Sequence, residues 1–201
     1  MSQEVLVVAR TRMTSGACIG GIVRRDGRSV RLLDSEGYHF PTDVDLEVGR
    51  VYNMTLSKCK GLAAPHLEDV RVMAHGDGQA VNDLADEIKK HATPAVGGPE
   101  FLFDGRLVAR ETGKRFLDPG SPTNYSTQFW IPSCDLELDV NEWNGKIKHE
   151  YYSEDFRVKY VGFADPPEVI EAGQLVRVSL SKPFSIPGTP HACWLQLSHA
   201  Y

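Results

Sequence analysis

What this sequence lacks narrows its function before anything it contains. No stretch approaches the ~18 apolar residues of a membrane span. The opening MSQEVLVVARTRM has no basic region before its short apolar run and no small-residue cleavage site after it, so a cytoplasmic protein is expected. Cysteine is sparse: Cys18, Cys59, Cys134 and Cys193, the nearest two 41 positions apart. Structural zinc sites usually offer one close pair, so buried, reduced thiols and no metal are expected. The chain holds no Walker A sequence, G-x-G-x-x-G, H-E-x-x-H or G-x-S-x-G, which argues against a nucleotide-hydrolysing or dinucleotide enzyme and implies no cofactor. Nor is there an excess of positive charge. Lys plus Arg number 22 against 27 Asp plus Glu, a net charge of −5, which is not the balance of a dedicated duplex-DNA binder.

What remains is an ordinary globular composition, 41% hydrophobic and 24% charged over 201 residues, room for one large domain or two small ones. Residues 1–78 read as a first small barrel. Val5–Ala9 is a continuous apolar run, as in a strand covered on both faces. Cys18–Arg24 and Ser29–Leu33 flank Asp26-Gly27, a hairpin signal, and Val48–Leu56 and Asp69–Met73 follow. Five short strands without an interior helix suggest an OB-like or SH3-like barrel, although a small sandwich would give much the same pattern.

Residues 79–99 read as a connecting helix and loop. Val81, Leu84, Ala85 and Ile88 recur with helical spacing over Ala80–His91, and Lys89, Lys90 and His91 suit a helix C-terminus. Residues 100–201 read as a second barrel, with strands at Phe101–Phe103, Leu107–Arg110, Gln128–Ile131, Lys146–Tyr151, Arg157–Gly162, Gln174–Ser181 and Ala192–Ser198. Fifteen of the 18 aromatics lie beyond residue 75, so this core should be aromatic where the first is aliphatic. An even loop, either Glu154-Asp155 or Ser153–Phe156, sets Tyr151 against Val158 and Glu150 against Lys159. His149, Ile147 and Tyr160 join the buried side, and Lys146, Lys148, Tyr152, Arg157 and Lys159 form a wet, basic one.

Three constellations could carry chemistry. Between residues 10 and 31 stand six arginines, Arg10, Arg12, Arg24, Arg25, Arg28 and Arg31, with Asp26 the one acid. If Asp26-Gly27 is the turn, Arg25 and Arg28 face each other at an exposed tip. Like charges so opposed are destabilising, and a phosphate would relieve that cost. The plainer alternative is a solvated loop met by acids from elsewhere. Second, His66, Glu68 and Asp69 could serve as acid and base, although strand alternation turns Asp69 away from the other two. A structural role, with carboxylates paired to arginines, is preferred. Third, Trp194 alternates with the apolar Cys193, Leu195 and Leu197; it could stack on a base, but burial over the barrel is the commoner fate of tryptophan.

Two stretches together resemble the dual OB-containing domain (DuOB) family. The first is Cys18-Ile19-Gly20-Gly21-Ile22, then Val30-Arg31-Leu32-Leu33, then Pro65-His66-Leu67-Glu68-Asp69; the second is Gly173–Ser181 followed by Cys193–Ser198. The family has Gly after that last Ser, where this chain has His199. The resemblance implies two OB-like barrels, an association with prokaryotic defence systems and a nucleic-acid or nucleotide-binding role, with no established catalytic residue. The expectation is therefore a mainly β, non-enzymatic, two-barrel module. Its ligand would be single-stranded nucleic acid or a nucleotide-like anion, held by the six arginines with Lys146, Lys148, Arg157, Lys159 and Trp194. Two rivals stand beside it: an adaptor that binds another protein of a defence system, and, more weakly, an enzyme built on His66 and Glu68.

Overall fold

Val5–Ala9 lies at the middle of the first strand, β1 (Ser2–Met13), and is wholly buried. The computed structural model describes residues 2–14, 16–143, 145–185 and 188–201. Its internal contacts divide it into two units, Met1–Thr93 and Pro94–Tyr201. In the first, β1, β2 (Gly16–Val23), β3 (Ser29–Leu33), β5 (Asp69–His75) and β4 (Arg50–Lys58) pair in that order. Antiparallel pairing of β4 back onto β1 closes a five-stranded barrel. Gly21 is required where β1 and β2 converge: a Cβ there would lie 2.7 Å from the Val5 side chain and 3.3 Å from the Leu6 carbonyl oxygen. Leu6, Ile19, Ile22, Leu32, Leu46 and Met54 fill the interior, the aliphatic core expected.

The barrel is fastened by charge as well as by apolar contact. β3 and β5 pair in parallel with Arg31 beside Asp69. Arg31 Nε and Nη2 donate to the two Asp69 oxygens at 2.5 and 2.7 Å, and Nη1 lies 3.4 Å from His66 Nδ1. All three residues are buried. Burial works to lower the Arg31 pKa, but its hydrogen bonds to Asp69 and the nearby Cys18, Asp69 and Glu68 outweigh it and leave the guanidinium more firmly charged than usual.

The helix is shorter than its periodicity suggests. Gln79–Ala80 forms β6, paired with Arg50 and Val51 of β4, and α1 covers only Leu84–His91. The reason is local: the Asp83 side chain accepts from the Asp86 N–H at 2.9 Å and caps the helix there. By its contacts α1 is counted with the first unit.

The second unit holds β7 (Ala95–Gly97), a 3₁₀ segment (Pro99–Gly105), β8 (Leu107–Ala109), β9 (Arg115–Leu117) and β10 (Thr127–Pro132). There follow β11 (Leu136–Trp143), β12 (Lys146–Ser153), β13 (Phe156–Tyr160), β14 (Val169–Ile170), β15 (Val176–Leu180) and β16 (Cys193–Ala200). Pairing runs β14-β11-β12-β13-β16-β15-β10-β7, with β8 and β9 attached through β16. Trp130, Tyr151, Phe103, Phe156 and Tyr160 dominate the core, as the aromatic distribution indicated. Phe101–Phe103 is not a strand. Phe103 and Asp104 take left-handed backbone (φ 50° and 58°), turning the Phe103 ring into the core, where it stacks on Tyr125 at 5.6 Å. The thiols also differ from expectation: Cys193 is buried, but Cys18 and Cys59 are half-buried and Cys134 is exposed. Among the described residues no helix is long and apolar enough to cross a membrane.

Two stability measurements follow from these contacts. Arg31→Ala leaves the Asp69 carboxylate buried without its fork and should cost about 3–5 kcal/mol in urea unfolding. A loss below ~1 kcal/mol, the value of a surface pair, would contradict this role. His199 faces Arg177 across β15 and β16. Burial, then the Arg177 charge, lower its pKa from 6.5 to about 4. Because the folded value is the lower one, the neutral ring's contribution is complete above pH 6.5 and is lost as pH falls towards 4. Stability of His199→Gln should therefore vary less across that interval than that of the parent; identical pH curves would count against it.

Candidate functional site

The first-unit arginines are largely used within the fold. The tip of β2–β3 is a four-residue loop, Arg24–Gly27, because Val23 N–H donates to Arg28 O at 2.9 Å and Ile22 pairs with Ser29. Arg25 and Arg28 are thus not opposite each other, as a two-residue turn would place them. Gly27 takes φ 70°, and a Cβ there would meet the His91 carbonyl oxygen at 2.2 Å, so the end of α1 seats on this loop. That contact brings Glu87 to Arg24 at 2.9 Å, with Glu4 at 3.2 Å on its other side. Hydrogen bonding from Lys90, opposed by burial and then helped by His91 and Arg24, lowers the Glu87 pKa to about 2. Arg28 lies 3.7 Å from Asp26 and Arg10 donates to the Thr42 carbonyl. Arg12 is exposed near the end of β1. Arg25 is exposed on a groove that also contains Glu4.

His66, Glu68 and Asp69 are gathered around Arg31. Asp69 and His66 are both held against Arg31, and Glu68 is half-buried with its carbonyl accepting from the Arg31 N–H at 2.9 Å. Arg31 itself is closed off by this arrangement and leaves the phosphate-binding set. Among the described residues no group of His, Cys, Asp and Glu could hold a metal ion.

The second unit gathers what the first disperses. β12, β13 and β16 are neighbours, with Glu150 opposite Lys159 and Lys159 beside Gln196. Alternation then puts Lys148, Glu150, Arg157, Lys159, Trp194 and Gln196 on one face. The turn between β8 and β9 folds over its edge: Arg157 N–H donates to the Gly113 carbonyl at 3.0 Å, carrying Lys114 and Arg115 to the same place. With Phe184, these residues line a half-open cavity of about 220 Å³. Five cations line it against one carboxylate. Glu150, only 8% exposed, accepts from Lys114 at 2.6 Å and from Arg157 at 3.4 Å. Arg157 also reaches Asp139 at 2.9 Å. Arg115 sits 5.8 Å over the Phe156 ring, and its Nε is buried with no hydrogen-bond partner.

Trp194 is 5% exposed, its ring centred 5.2 Å from Phe116 and 6.0 Å from Phe184, so it backs the cavity with little open face. The expected register of Tyr151, Val158, Glu150 and Lys159 holds. Ile147, however, is 69% exposed, because β12 runs on past the end of β13. Lys146 lies on that overhang, exposed and away from the cavity. Sequence reasoning missed Lys114, Arg115 and Phe184. The Thr112-Gly113 turn before Lys114-Arg115 was the available signal for the first two.

A profile of the dual OB-containing domain matches residues 3–200, nearly the whole chain. The chain belongs to this family. No curated protein matches. Among solved structures, the chain is similar to the p204 HINb domain at 11% identity and TM-score 0.35, covering 98% of this chain and 96% of that one. It is similar also to the tetrameric p202 HIN2 at 10% identity and TM-score 0.34, covering 100% and 91%. A murine DNA-binding protein bound with double-stranded DNA stands at 8% and 0.31, covering 100% and 96%.

Glu150→Gln removes the one carboxylate among five cations of this DuOB chain. It should destabilise the fold by about 1.5–3 kcal/mol at low ionic strength, with the loss shrinking as salt screens the repulsion. Equal stability of variant and parent at low salt would show that the cations do not depend on Glu150.

Proposed function

We propose that the second unit binds single-stranded nucleic acid or a nucleotide-like anion in the cavity between β12, β13, β16 and the β8–β9 turn. One observation carries this reading: five cations meet one carboxylate in a half-open, aromatic-backed space, in a chain whose net charge is −5. A basic group that runs against the whole-chain balance and converges on a cavity is suited to phosphate. Of the residues expected from the sequence, Lys148, Arg157, Lys159 and Trp194 belong to this site. Arg10, Arg12, Arg24, Arg25 and Arg28 are secondary to it. The role is binding, without catalysis, and the family resemblance favours a prokaryotic defence system as its setting.

A second reading, an adaptor for another protein, draws on one feature. The β11–β12 ribbon continues the core face outward with Val140 and Ile147, 56% and 69% exposed on the same side.

Affinity for labelled single-stranded DNA and RNA, measured across a salt series, separates the two. In the binding reading, Lys148→Glu with Lys159→Glu weakens affinity at least tenfold. It also reduces the salt slope by about 1.4, roughly 0.7 for each phosphate contact. Negligible binding by the parent protein at low salt favours the adaptor and overturns the proposal.

A further inference from the structure

The cavity has a size and an aromatic wall that together restrict what enters it. Its volume, about 220 Å³, is below the ~300 Å³ at which pockets for drug-sized ligands begin. It is half-open to solvent, so a single nucleotide seats in it with its outer part in water, while a run of nucleotides does not fit. The cations are not spaced along a track, as a groove following a strand would need; they converge around Glu150.

The open aromatic surface is not Trp194. That ring is packed between Phe116 and Phe184, and its Nε1–H donates to the Phe184 carbonyl at 3.3 Å. Phe184 is the ring left available, 43% exposed at the cavity wall. Its backbone is fixed by a two-way bridge to Ala192, N–H to carbonyl at 3.0 and 3.2 Å, so the ring is presented from an anchored position. Arg115 is also on the lining; its guanidinium stands over Phe156 and its Nε makes no hydrogen bond.

We infer that the cavity takes a single phosphorylated nucleoside, its base stacked on Phe184 and its phosphates met by Lys148, Lys159 and Arg115. This rests on the anion-binding reading of the same cavity and goes past it in two respects, the length of the ligand and the residue that holds its base. The nucleoside is either free or the 5′-phosphorylated end of a strand, which present the same chemistry. Trp194 acts only as a support that holds Phe184 in place.

Calorimetric titration of the full chain with pyrophosphate, adenosine 5′-diphosphate, and a ten-nucleotide strand with and without a 5′-phosphate tests this. The diphosphate nucleoside should bind about tenfold or more tighter than pyrophosphate, the difference a stacked base supplies. Phe184→Ala should remove that difference and leave pyrophosphate affinity unchanged, and Phe184→Trp should restore it. Because Phe184 is partly exposed, the Ala variant should melt like the parent. A 5′-phosphorylated strand that matches the nucleotide, with its 5′-hydroxyl counterpart much weaker, supports the inference with a strand end as the source. Equal affinity for nucleotide and pyrophosphate, unaffected by Phe184→Ala, overturns the stacking assignment while the anion site stands. Strand binding without nucleotide or pyrophosphate binding overturns the single-unit inference alone. Failure of every probe overturns the underlying reading as well.

Discussion

Glu150 is the constraint on which the second unit's surface depends. It is a buried carboxylate in the middle of β12, opposite Lys159, and it collects Lys114 from one turn and Arg157 from the neighbouring strand. Without it, five cations would line a small half-open space with only Asp139, beside Arg157, to offset their repulsion. With it, the turn carrying Lys114 is tied to the sheet and the cavity has a fixed wall. One carboxylate cannot neutralise five cations, so the wall is stable and still strongly positive. That combination of a settled scaffold and unbalanced charge is what makes it a candidate site.

The first unit handles its charge in the opposite way. Arg31 is forked onto Asp69 and buried, Arg24 lies between Glu4 and Glu87, and Arg28 is near Asp26. Two members of the arginine cluster, Arg31 and Arg24, thereby fasten β3 to β5 and join α1 to the β2–β3 loop. Acids contributed from residues 4, 69 and 87, remote in sequence, are what turn a basic run into internal structure. A count of charge in a window of sequence cannot see them.

Much of the fold was nonetheless legible. The apolar run Val5–Ala9, the pairing of Tyr151 with Val158 and Glu150 with Lys159, and the skew of aromatics towards the second half each report short-range physics, and each holds in the structure, although Ile147 beyond that pairing is exposed. The errors have local causes. The Asp26-Gly27 signal pointed to a two-residue turn, but the loop accommodates the end of α1 and lengthens to four. The helix starts late because Asp83 caps it. Half of the site was readable as well, since Lys148, Arg157 and Lys159 share a face by simple alternation. Lys114, Arg115 and Phe184 were not, because only tertiary folding of a turn and a loop brings them to that face.

On the proposed function, a ligand binds in the second unit's cavity and not at the arginine hairpin of the first. Nuclear magnetic resonance of isotope-labelled protein, titrated with a short single strand, locates the contact directly. The expected result is shifted signals for Lys114, Arg115, Lys148, Lys159, Phe184 and the Trp194 indole, with Arg24–Arg28 unchanged. Shifts confined to Arg24–Arg28, with the cavity residues silent, would contradict it.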